Sequence, residues 1–296
     1  FVFTEDCYFR VLLKKEDGNW CIEEDAGRIN EILSFHSSLP PEERLNSPKL
    51  CFGMEIQKTS DTVLKKLTEG EALVFGLLTD SHYVVNGTWG DTLANISAVN
   101  DRVGFDGLIH LGDLQDGMLD KKMCRRIATK CISDMRHICE PLYMTIGNHD
   151  TNYFKGNTEW LTEAEQYGLY GRFMDNYVCR EKQNGWYYVD YSKHGLRMIF
   201  LSSFNHREEL RYGFPEEEIF WIKRVLKATP SNYKVLIFSH DAPLEELDYW
   251  ASDIRNGEAL MNVLEAYHNM QGHCILGYIH GHTHADCVYL GRSFPI

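Results

Sequence analysis

Short apolar runs of strand length alternate, from residue 72 onward, with longer segments in which apolar residues recur at helical spacing. The runs predict strands at 72–79, 107–111, 142–146, 186–191, 198–201, 234–238 and 273–279. The intervening segments predict helices near 91–102, 120–138, 215–228 and 256–269. Alternation of this kind is typical of an α/β domain whose sheets are covered by helices.

The first 70 residues do not follow this alternation. They predict a strand at 8–13, a turn at Asp17-Gly18, a short helix at 23–35 and a Ser/Pro-rich linker at 36–50. We therefore interpret residues 1–50 as an N-terminal appendage and linker, the remnant of an upstream β domain. Residues 51–296 are expected to form the main domain.

The length and composition are consistent with a single large hydrophobic core. The chain has 296 residues, of which 44% are hydrophobic and 25% are charged. The formal net charge is −13, and an acidic surface repels the phosphates of nucleic acids. A nucleic-acid partner is therefore disfavoured. A small phosphate-bearing substrate is not excluded, because bound metal ions reverse the local field.

Cysteine usage and the absence of targeting signals in this sequence favour a cytoplasmic protein. The nine cysteines are odd in number and include no CxxC pair, so thiols are favoured over disulfides. No apolar stretch approaches the roughly 20 residues of a membrane span, and no signal peptide is visible after Phe1. Because the first residue is not methionine, the chain reads as a fragment, and an export signal could lie upstream.

Five short polar motifs each come directly after one of the apolar runs. In chain order they are Asp80-Ser81-His82, Gly112-Asp113, Gly147-Asn148-His149-Asp150, Ser239-His240 and Gly281-His282-Thr283-His284. In α/β sheets, ligands bind beyond the carboxyl ends of strands, so five such strand ends predict one shared site. Each motif alone is a weak signal, since a single histidine after a strand is more often a surface or hydrogen-bonded residue. All five in order favour a functional site.

The shared site would contain three oxygen donors and four imidazoles. The seven candidate ligands are Asp80, His82, Asp113, Asn148, His240, His282 and His284. Borderline metals such as Mn, Fe, Co, Ni or Zn prefer mixed nitrogen and oxygen ligands of this kind. The sequence therefore predicts bound transition-metal ions, with Mn, Fe or Zn as the favoured ions.

With these motifs, residues 72 to about 290 resemble the calcineurin-like metallophosphoesterase superfamily. Its signature is DxH, GD, GNH followed by D or E, a lone His, and GHxH. The resemblance implies an α/β fold of two packed mixed β-sheets flanked by helices, a four-layer sandwich. It implies two metal ions, the first held by Asp80, His82, Asp113 and His284 and the second by Asp113, Asn148, His240 and His282. Asp113 would bridge the two ions.

The motifs also distinguish branches of this superfamily. Serine/threonine protein phosphatases carry GDxVDRG and an arginine before GNHE, whereas this chain has GDLQDG and Ile146 before GNHD. Purple acid phosphatases place a tyrosine ligand three residues after the bridging aspartate, where this chain has Asp116. The pattern most resembles the bacterial phosphodiesterase-like branch. This implies a phosphodiesterase acting on a small-molecule or a lipid- or glycerol-type phosphodiester.

The resemblance also implies a mechanism. Two metal ions about 3.5–4 Å apart clamp a phosphoryl group and supply a bridging hydroxide for in-line attack on phosphorus. His149 would stabilise the developing charge or protonate the leaving oxygen, and Asp150 would orient His149. The alternative for Asp150 is a turn-capping aspartate.

Several further roles have two interpretations. Asp116 either hydrogen-bonds a metal ligand or caps the helix near residue 120. Aromatic residues fill the long connection at 151–185, where Tyr153 and Tyr170 are candidates for substrate binding, as is His206 in a later loop. The alternative is that these aromatic residues only pack the connection onto the sheets.

Three other functions remain as alternatives to a phosphodiesterase with a small substrate. They are a nuclease of the same superfamily, a domain that trims teichoic-acid-like phosphodiesters within a larger surface or phage-associated protein, and a binding module without turnover. The last would be expected to lose metal ligands, and all seven are present. The oligomeric state is left open by the sequence.

Overall fold

The computed structural model describes residues 53–83, 88–154, 156–250, 253–285 and 287–296, together with the backbone of four short strands that precede them. These strands are β1 (Val2–Thr4), β2 (Cys7–Phe9), β3 (Leu13–Glu16) and β4 (Asn19–Ile22). The first two pair with each other, and so do the last two, both in antiparallel orientation.

The N-terminal predictions are only partly covered by the described residues. The predicted strand at 8–13 overlaps β2 and the first residue of β3. Glu16 pairs with Asn19 on either side of the predicted turn. The predicted helix at 23–35 and the predicted linker at 36–50 lie outside the described residues.

The main domain alternates strands and helices. Its strands are β5 (Phe75–Leu78), β6 (Gly107–His110), β7 (Leu142–Met144), β8 (Tyr187–Tyr191), β9 (Leu196–Phe200), β10 (Lys234–Phe238) and β11 (Ile275–Ile279). Its α-helices are α1 (Gly53–Leu67), α2 (Trp89–Val103), α3 (Lys121–Ile138), α4 (Glu163–Gln166), α5 (Glu216–Lys227) and α6 (Gly257–His268). Every strand and helix predicted in this region overlaps an observed one, so the apolar pattern was a sound guide to the order of elements.

Helix α1 is an element that the apolar pattern missed. It packs against α2, but most of its residues are exposed and its buried residues are Ile56 and Ser60. A helix with so small an apolar face gives little periodic signal in the sequence. None of the helices in the described part of the chain has the length and apolar character needed to cross a membrane.

Two sheets form the centre of the domain. Strands β5, β6 and β7 form a three-stranded parallel sheet. The other sheet has the order β11-β10-β9-β8, in which β8 is antiparallel to β9 and the remaining strands are parallel. The predicted fold of two sheets flanked by helices is confirmed. In its described strands, however, the first sheet is purely parallel and only the second is mixed.

Two hydrophobic clusters hold the layers together. The first packs α2 and α3 onto the three-stranded sheet, and this sheet onto the four-stranded one, where the Tyr143 and Phe200 rings stack with centroids 5.6 Å apart. The Tyr187 hydroxyl adds a polar link, because it bonds to both the main-chain N and O of Met144 at 2.9 Å. The second cluster packs α5 and α6 against the four-stranded sheet. The layers therefore run helix, sheet, sheet, helix.

The strands of each sheet end level with one another, and this alignment brings the polar motifs together. In the first sheet Leu78 pairs with His110, and His110 pairs with Met144. In the second sheet Phe238 pairs with Ile279. The residues that follow these strand ends therefore collect at one edge of the sandwich.

Candidate metal centre

Most of the predicted metal ligands have a backbone conformation that residues other than glycine rarely adopt. Positive φ angles, from 41° to 67°, occur at Asp80, His82, Asp113, His282 and His284. Conformations of this kind cost on the order of 1–3 kcal/mol each and persist only where the surrounding structure enforces them. Their concentration at the ends of β5, β6 and β11 indicates a site whose geometry the fold imposes at the expense of local stability.

Glycines in the motifs allow the strand ends to approach one another. A β-carbon at Gly147 would collide with the Asp113 side chain, and one at Gly281 would collide with Thr79 and with the Asp80 carboxylate. No larger residue fits at either position without displacing a predicted ligand. The glycines of the GNHD and GHTH motifs are therefore explained by the close packing of the motifs.

Asp80, His82 and His284 form one group of donors, whose ligand atoms lie within 4.8 Å of one another. Nε2 of His284 is 3.2 Å from Oδ1 of Asp80, and the ring centroids of His82 and His284 are 5.1 Å apart. Oδ2 of Asp80 accepts a bond from the Thr79 hydroxyl, and another from the main-chain N–H of His282 at 2.9 Å. The last bond ties the end of β5 to the end of β11, and so joins the two sheets at the site.

Asp113, His240 and His282 form a second such group. Nε2 of His240 lies 3.2 Å from Oδ2 of Asp113 and equally far from Oδ1 of Asn148. The ring centroids of His240 and His282 are 5.1 Å apart, and all four residues are buried. The structure therefore brings together the four residues that were predicted to hold the second ion.

Asp113 lies between the two groups. Its Oδ2 is 3.2 Å from Nε2 of His240, 3.7 Å from Nε2 of His82 and 3.9 Å from Nε2 of His149. Burial alone would raise the pKa of the Asp113 carboxyl, but the imidazoles of His240, His149 and His82 outweigh burial and hold this pKa well below its usual range. The carboxyl is therefore ionised, and among the described residues it shares one group of donors with His240 and His282 and another with His82 and His149.

Several buried polar atoms at this site have no hydrogen-bond partner within the described part of the protein. They include Oδ1 of Asp80, Nε2 of His82 and Nε2 of His282. A buried polar group left without a partner is destabilising by about 1–3 kcal/mol. Because carboxylate oxygens and imidazole nitrogens are ligand atoms for transition metals, these atoms fit a bound cation.

Three imidazoles of the site are held at Nδ1 by an oxygen atom. Nδ1 of His82 is 3.0 Å from Oδ1 of Asp116, and Nδ1 of His240 is 2.8 Å from the main-chain O of Leu111. Nδ1 of His149 is 2.8 Å from the main-chain O of Asp116. An oxygen acceptor at Nδ1 keeps the proton on that nitrogen and leaves Nε2 to face Asp113.

The electrostatics of His240 are set by its burial and by Asp113. Burial lowers the pKa of the imidazole, but the Asp113 carboxylate outweighs burial and raises this pKa well above its usual value. A metal ion displaces such a proton, because imidazole binds metals only in its neutral form. Proton release on metal binding is therefore expected at this residue.

His149, which was predicted to be a catalytic residue and not a ligand, lies at the site. Its side chain is 20% exposed, more than that of His82 or His240. With His82 and Asp113 it forms a further group of donors within 4.8 Å of one another. The geometry therefore allows either contact with a bound substrate or contact with a metal ion.

Asp150 makes the contacts of a turn-capping aspartate, its alternative interpretation, and does not contact the His149 ring. Both of its oxygens accept main-chain N–H bonds, from Asp113 and Gly147 to Oδ2 and from Leu114 to Oδ1, at 2.8–3.0 Å. The orientation of the His149 ring comes instead from the main-chain O of Asp116. Asp150 therefore ties the turn after β6 to the turn after β7, and it positions Asp113 directly.

The structure decides between the two interpretations of Asp116. Its carboxylate bonds to His82, a predicted metal ligand. Helix α3 is capped instead by Asp120, whose Oδ1 accepts the main-chain N–H of Met123 at 2.9 Å. The alternative of a helix cap at Asp116 is therefore wrong.

Three buried residues near the site had no assigned role in the sequence analysis. His110 joins two of the motifs, since its Nε2 lies 2.9 Å from Oγ of Ser81 and its Nδ1 accepts the main-chain N–H of Gly112. Burial lowers the pKa of His110 to about 4, so this ring is neutral. Asp241 and Asp248 lie beside His282 and form a further group with it. Asp241 directly follows His240 in the chain, and this adjacency is the one sequence signal that could have identified it.

The predicted substrate residues fall into two environments. The rings of Tyr153 and His206 are nearly parallel, with centroids 6.4 Å apart, and Trp160 lies 4.8 Å from His206. Tyr170, in contrast, is only 1% exposed, and its hydroxyl is 3.0 Å from Nε2 of Gln115. Tyr170 is therefore part of the hydrophobic core, and the expectation that it contacts substrate is wrong.

Comparisons with known proteins identify the family and the fold. The family model described as calcineurin-like phosphoesterase matches residues 73–286. A dimetal phosphatase from Danio rerio aligns with a TM-score of 0.51 at 16% identity, over 73% of this chain and 82% of that chain. At this identity the likeness supports the fold alone.

Two further solved structures align less closely. A phosphopantetheinyl hydrolase from Mycobacterium tuberculosis gives a TM-score of 0.47 at 11% identity, over 75% of this chain and 86% of that chain. A purple acid phosphatase from yellow lupin (Lupinus luteus) seeds gives 0.40 at 15% identity, over 64% and 32%. A search among curated proteins found no significant match.

Proposed function

The chain belongs to the calcineurin-like phosphoesterase family, and from that premise we propose that it is a phosphodiesterase. Its substrate would be a small-molecule or a lipid- or glycerol-type phosphodiester. The observation that carries the proposal is the position of the Asp113 carboxylate, which belongs to two neighbouring groups of metal-binding side chains. We place the domain responsible at residues 51–296, since α1 packs against α2 and so belongs with the matched region.

We assign the seven donors to two ions. The first ion would be held by Asp80, His82, Asp113 and His284, and the second by Asp113, Asn148, His240 and His282. When bound, two such ions supply positive charge for the phosphoryl oxygens and lower the pKa of a water molecule toward neutrality. The mixture of imidazole and oxygen donors favours Mn, Fe or Zn.

We assign His149 to the leaving group. Its Nδ1–H would donate a hydrogen bond to the main-chain O of Asp116. Its Nε2–H would transfer a proton to the departing oxygen. Its partial exposure supports this role, because a proton donor must reach the substrate. Asp150 would act at one remove, through the main-chain bonds that fix the position of Asp113.

Charge supports a diester over a monoester substrate. A phosphomonoester carries close to two negative charges near neutral pH, whereas a diester carries one. Additional cationic side chains at the site therefore favour monoesters. The motifs supply none at two positions next to the predicted ligands: Ile146 precedes GNHD, and Leu114, Gln115 and Asp116 follow Asp113. An acidic chain, with a net charge of −13, further disfavours the more highly charged substrate.

An aromatic surface beside the donors would contact the ester groups of the substrate. We define this surface by Tyr153, Phe154, Trp160, His206 and Tyr212. Phe154 lies 5.9 Å from the ring of His149, and Tyr212 lies 5.1 Å from the ring of His282, so the surface adjoins the donors on two sides. Phe154 and Trp160 are 38% and 39% exposed. Rings of this kind line ligand sites for groups with apolar character, such as lipid or glycerol substituents.

The test compares turnover of bis-p-nitrophenyl phosphate and p-nitrophenyl phosphate by protein supplied with Mn, Fe or Zn. Both substrates release p-nitrophenol, so the comparison isolates the charge and size of the phosphoester. We expect faster turnover of the diester, and turnover of glycerophosphodiesters among natural compounds. Faster hydrolysis of the monoester, or a clear preference for phosphopeptides or long DNA, would contradict the proposal.

Metal content provides a test of the ligand assignment that does not depend on activity. Purified protein should carry close to two transition-metal ions per chain, and Asp113→Asn should weaken binding of both. Asp61→Asn, on the exposed face of α1, is the control and should bind metals normally. Full occupancy in the Asp113 variant would overturn the assignment of Asp113 as the shared ligand.

A further inference from the structure

A loop between β9 and α5, at residues 203–213, is anchored beside the candidate metal centre. The main-chain N–H of Gly213 donates to the main-chain O of Ser203 at 2.7 Å and closes the base of the loop. The hydroxyl of Ser203 accepts the main-chain N–H of Asp241 at 3.0 Å, one residue after the predicted ligand His240. The base of the loop is therefore tied to a turn that carries a predicted ligand.

Tyr212 anchors the other end of the same loop. Its ring lies 5.1 Å from the ring of the predicted ligand His282, and its main-chain O accepts the main-chain N–H of Arg255 at 3.0 Å. Nη1 of Arg255 also lies 3.4 Å from Oε1 of Glu208, so an acidic side chain of the loop is paired outside the loop. These contacts fix the position of the loop relative to the donors.

Arg211 brings a positive charge from this loop to the aromatic surface. It is exposed and directly precedes Tyr212, and its guanidinium carbon lies 5.2 Å from the centroid of the Tyr153 ring. Within the described ranges, its side chain takes part in no hydrogen bond or ion pair. We propose that Arg211 is a specificity-determining residue that binds a carboxylate or a phosphate on one ester substituent of the substrate. The inference rests on the phosphodiesterase function proposed above.

A row of aromatic rings connects Arg211 to the predicted ligands. The Tyr153 ring that the guanidinium contacts lies 5.7 Å from the ring of Phe204. Phe204 is buried, and its ring lies 5.2 Å from that of Tyr212, which in turn adjoins His282. Arg211 is therefore held at the edge of the site, next to the surface that we propose contacts the ester groups.

The contact with Tyr153 leaves the guanidinium available to a ligand. A cation–π contact restricts the position of the cation but offers no oxygen acceptor, so the N–H donors of Arg211 remain free to bind an oxyanion. Their planar fork matches the paired oxygens of a carboxylate or a phosphate. In a chain with a net charge of −13, a guanidinium without an acidic partner among the described residues favours an anionic group at this position.

The location of this charge is compatible with a diester substrate. The motifs place Ile146 and Leu114 next to the predicted ligands, and neither residue would compensate a second negative charge on the attacked phosphate. Arg211 lies outside the motifs and on the aromatic surface. It would therefore meet a charge on the substituent, and the attacked phosphate would still carry one negative charge.

The test uses p-nitrophenyl phosphodiesters that differ only in the second ester group. One carries a phenyl group, and two others carry a carboxylate or a phosphonate on that phenyl ring. The unaltered protein, supplied with Mn, Fe or Zn, should prefer an anionic ester, and the larger preference shows which of the two anions is bound. Arg211→Gln should lose about 10–100-fold in kcat/KM for that ester, because hydrogen bonds to a charged group are removed. It should lose little for the phenyl ester.

Two further variants serve as controls. Arg207→Gln removes the same charge from the same loop, at an exposed residue without a described contact to the Tyr153 ring, and should leave the substrate preference unchanged. Arg211→Lys keeps the charge but loses the planar fork, and it should retain part of the preference. All three variants should have nearly the metal content and melting temperature of the unaltered protein, because both arginines are exposed.

Four results would overturn the inference. Equal losses for all three esters in Arg211→Gln, or a lower melting temperature with the substrate preference unchanged, would show that Arg211 only stabilises the loop or acts on the attacked phosphate. The same selective loss in Arg207→Gln would indicate a general effect of charge. Hydrolysis of all three esters without preference for an anionic one would refute this inference alone. If the unaltered protein hydrolyses none of them, the proposed function fails and this inference fails with it.

Discussion

The carboxylate of Asp116 lies 3.0 Å from Nδ1 of His82, and both side chains are buried, with exposures of 4% and 8%. The main-chain oxygen of the same aspartate holds Nδ1 of His149. Burial lowers the pKa of His82, but the hydrogen bond to Asp116 and the surrounding carboxylates together raise it. One residue, three positions after Asp113, thus orients two rings that face Asp113 from different turns.

The Asp116 contact predicts a selective effect on metal binding. Asp116→Asn should weaken by about 10–100-fold the ion assigned to Asp80, His82 and His284, because the amide holds Nδ1–H less strongly than a carboxylate. The main-chain contact to His149 is retained in this variant. Calorimetric titration should show that the ion assigned to His240 and His282 is bound normally. Equal weakening of both ions would contradict this division of the ligands.

His149 should be separable from the metal ligands by mutation. His149→Ala is expected to keep its metal ions and to lose about 10²–10⁴-fold in turnover, because a proton donor is removed. The loss should shrink for diesters with good leaving groups, which need little protonation. Metal analysis alongside steady-state kinetics checks both statements. Loss of an ion from this variant would show that His149 is a ligand.

Tyr153 and Tyr170, the two tyrosines predicted from the sequence to bind substrate, should respond differently to mutation. Tyr153→Ala should change the preference among diester substrates, with metal content and melting temperature nearly unchanged, because Tyr153 belongs to the aromatic surface. Tyr170→Ala should lower the free energy of unfolding by about 3–5 kcal/mol, as for other large core aromatics, and leave the substrate preference alone. If both variants lose the same free energy of unfolding and keep the substrate preference of the unaltered protein, the aromatic surface only stabilises the fold.

Glu218 should make stability depend on pH. It is fully buried, its Oε1 accepts the main-chain N–H of Ser202 at 2.7 Å, and its Oε2 has no hydrogen-bond partner in the described region. Burial raises the pKa of this carboxyl well above its usual value of 4.5. Since the folded pKa exceeds the unfolded one, its contribution to stability is complete below about pH 4.5 and is lost as the pH rises toward the folded pKa.

Glu218→Gln mimics the protonated carboxyl and should remove this dependence. Its stability relative to the unaltered protein should grow with pH above 4.5, by up to about 1.4 kcal/mol per pH unit until the folded carboxyl ionises. Denaturant unfolding of the chelated protein at pH 5 and pH 8 measures the difference. If the free energies of unfolding of Glu218→Gln and the unaltered protein differ by the same amount at both pH values, burial does not raise the pKa of Glu218 in the folded protein.

The order of elements and the composition of the candidate site were both predictable from the sequence. Apolar runs of strand length indicate buried strands, because burial on both faces favours apolar residues along the whole strand, as in β7. Polar residues directly after such runs must emerge at the strand ends, and parallel strands end at the same edge. The proximity of Asp80, Asp113 and His240 therefore follows from the apolar pattern of the sequence and from the rule that ligand sites lie at the carboxyl ends of parallel strands.

Only the tertiary structure decided which side chains touch. Asp150 follows His149 in the chain, yet its oxygens bind the main chain of other turns, while Asp116 holds the His149 ring. Adjacent residues in a turn point in different directions, so proximity in sequence does not predict contact there. Tyr153 and Tyr170 read alike in an aromatic segment, but one lies at the site and the other in the core. Such contacts depend on the packing of distant elements, and no local pattern encodes that packing.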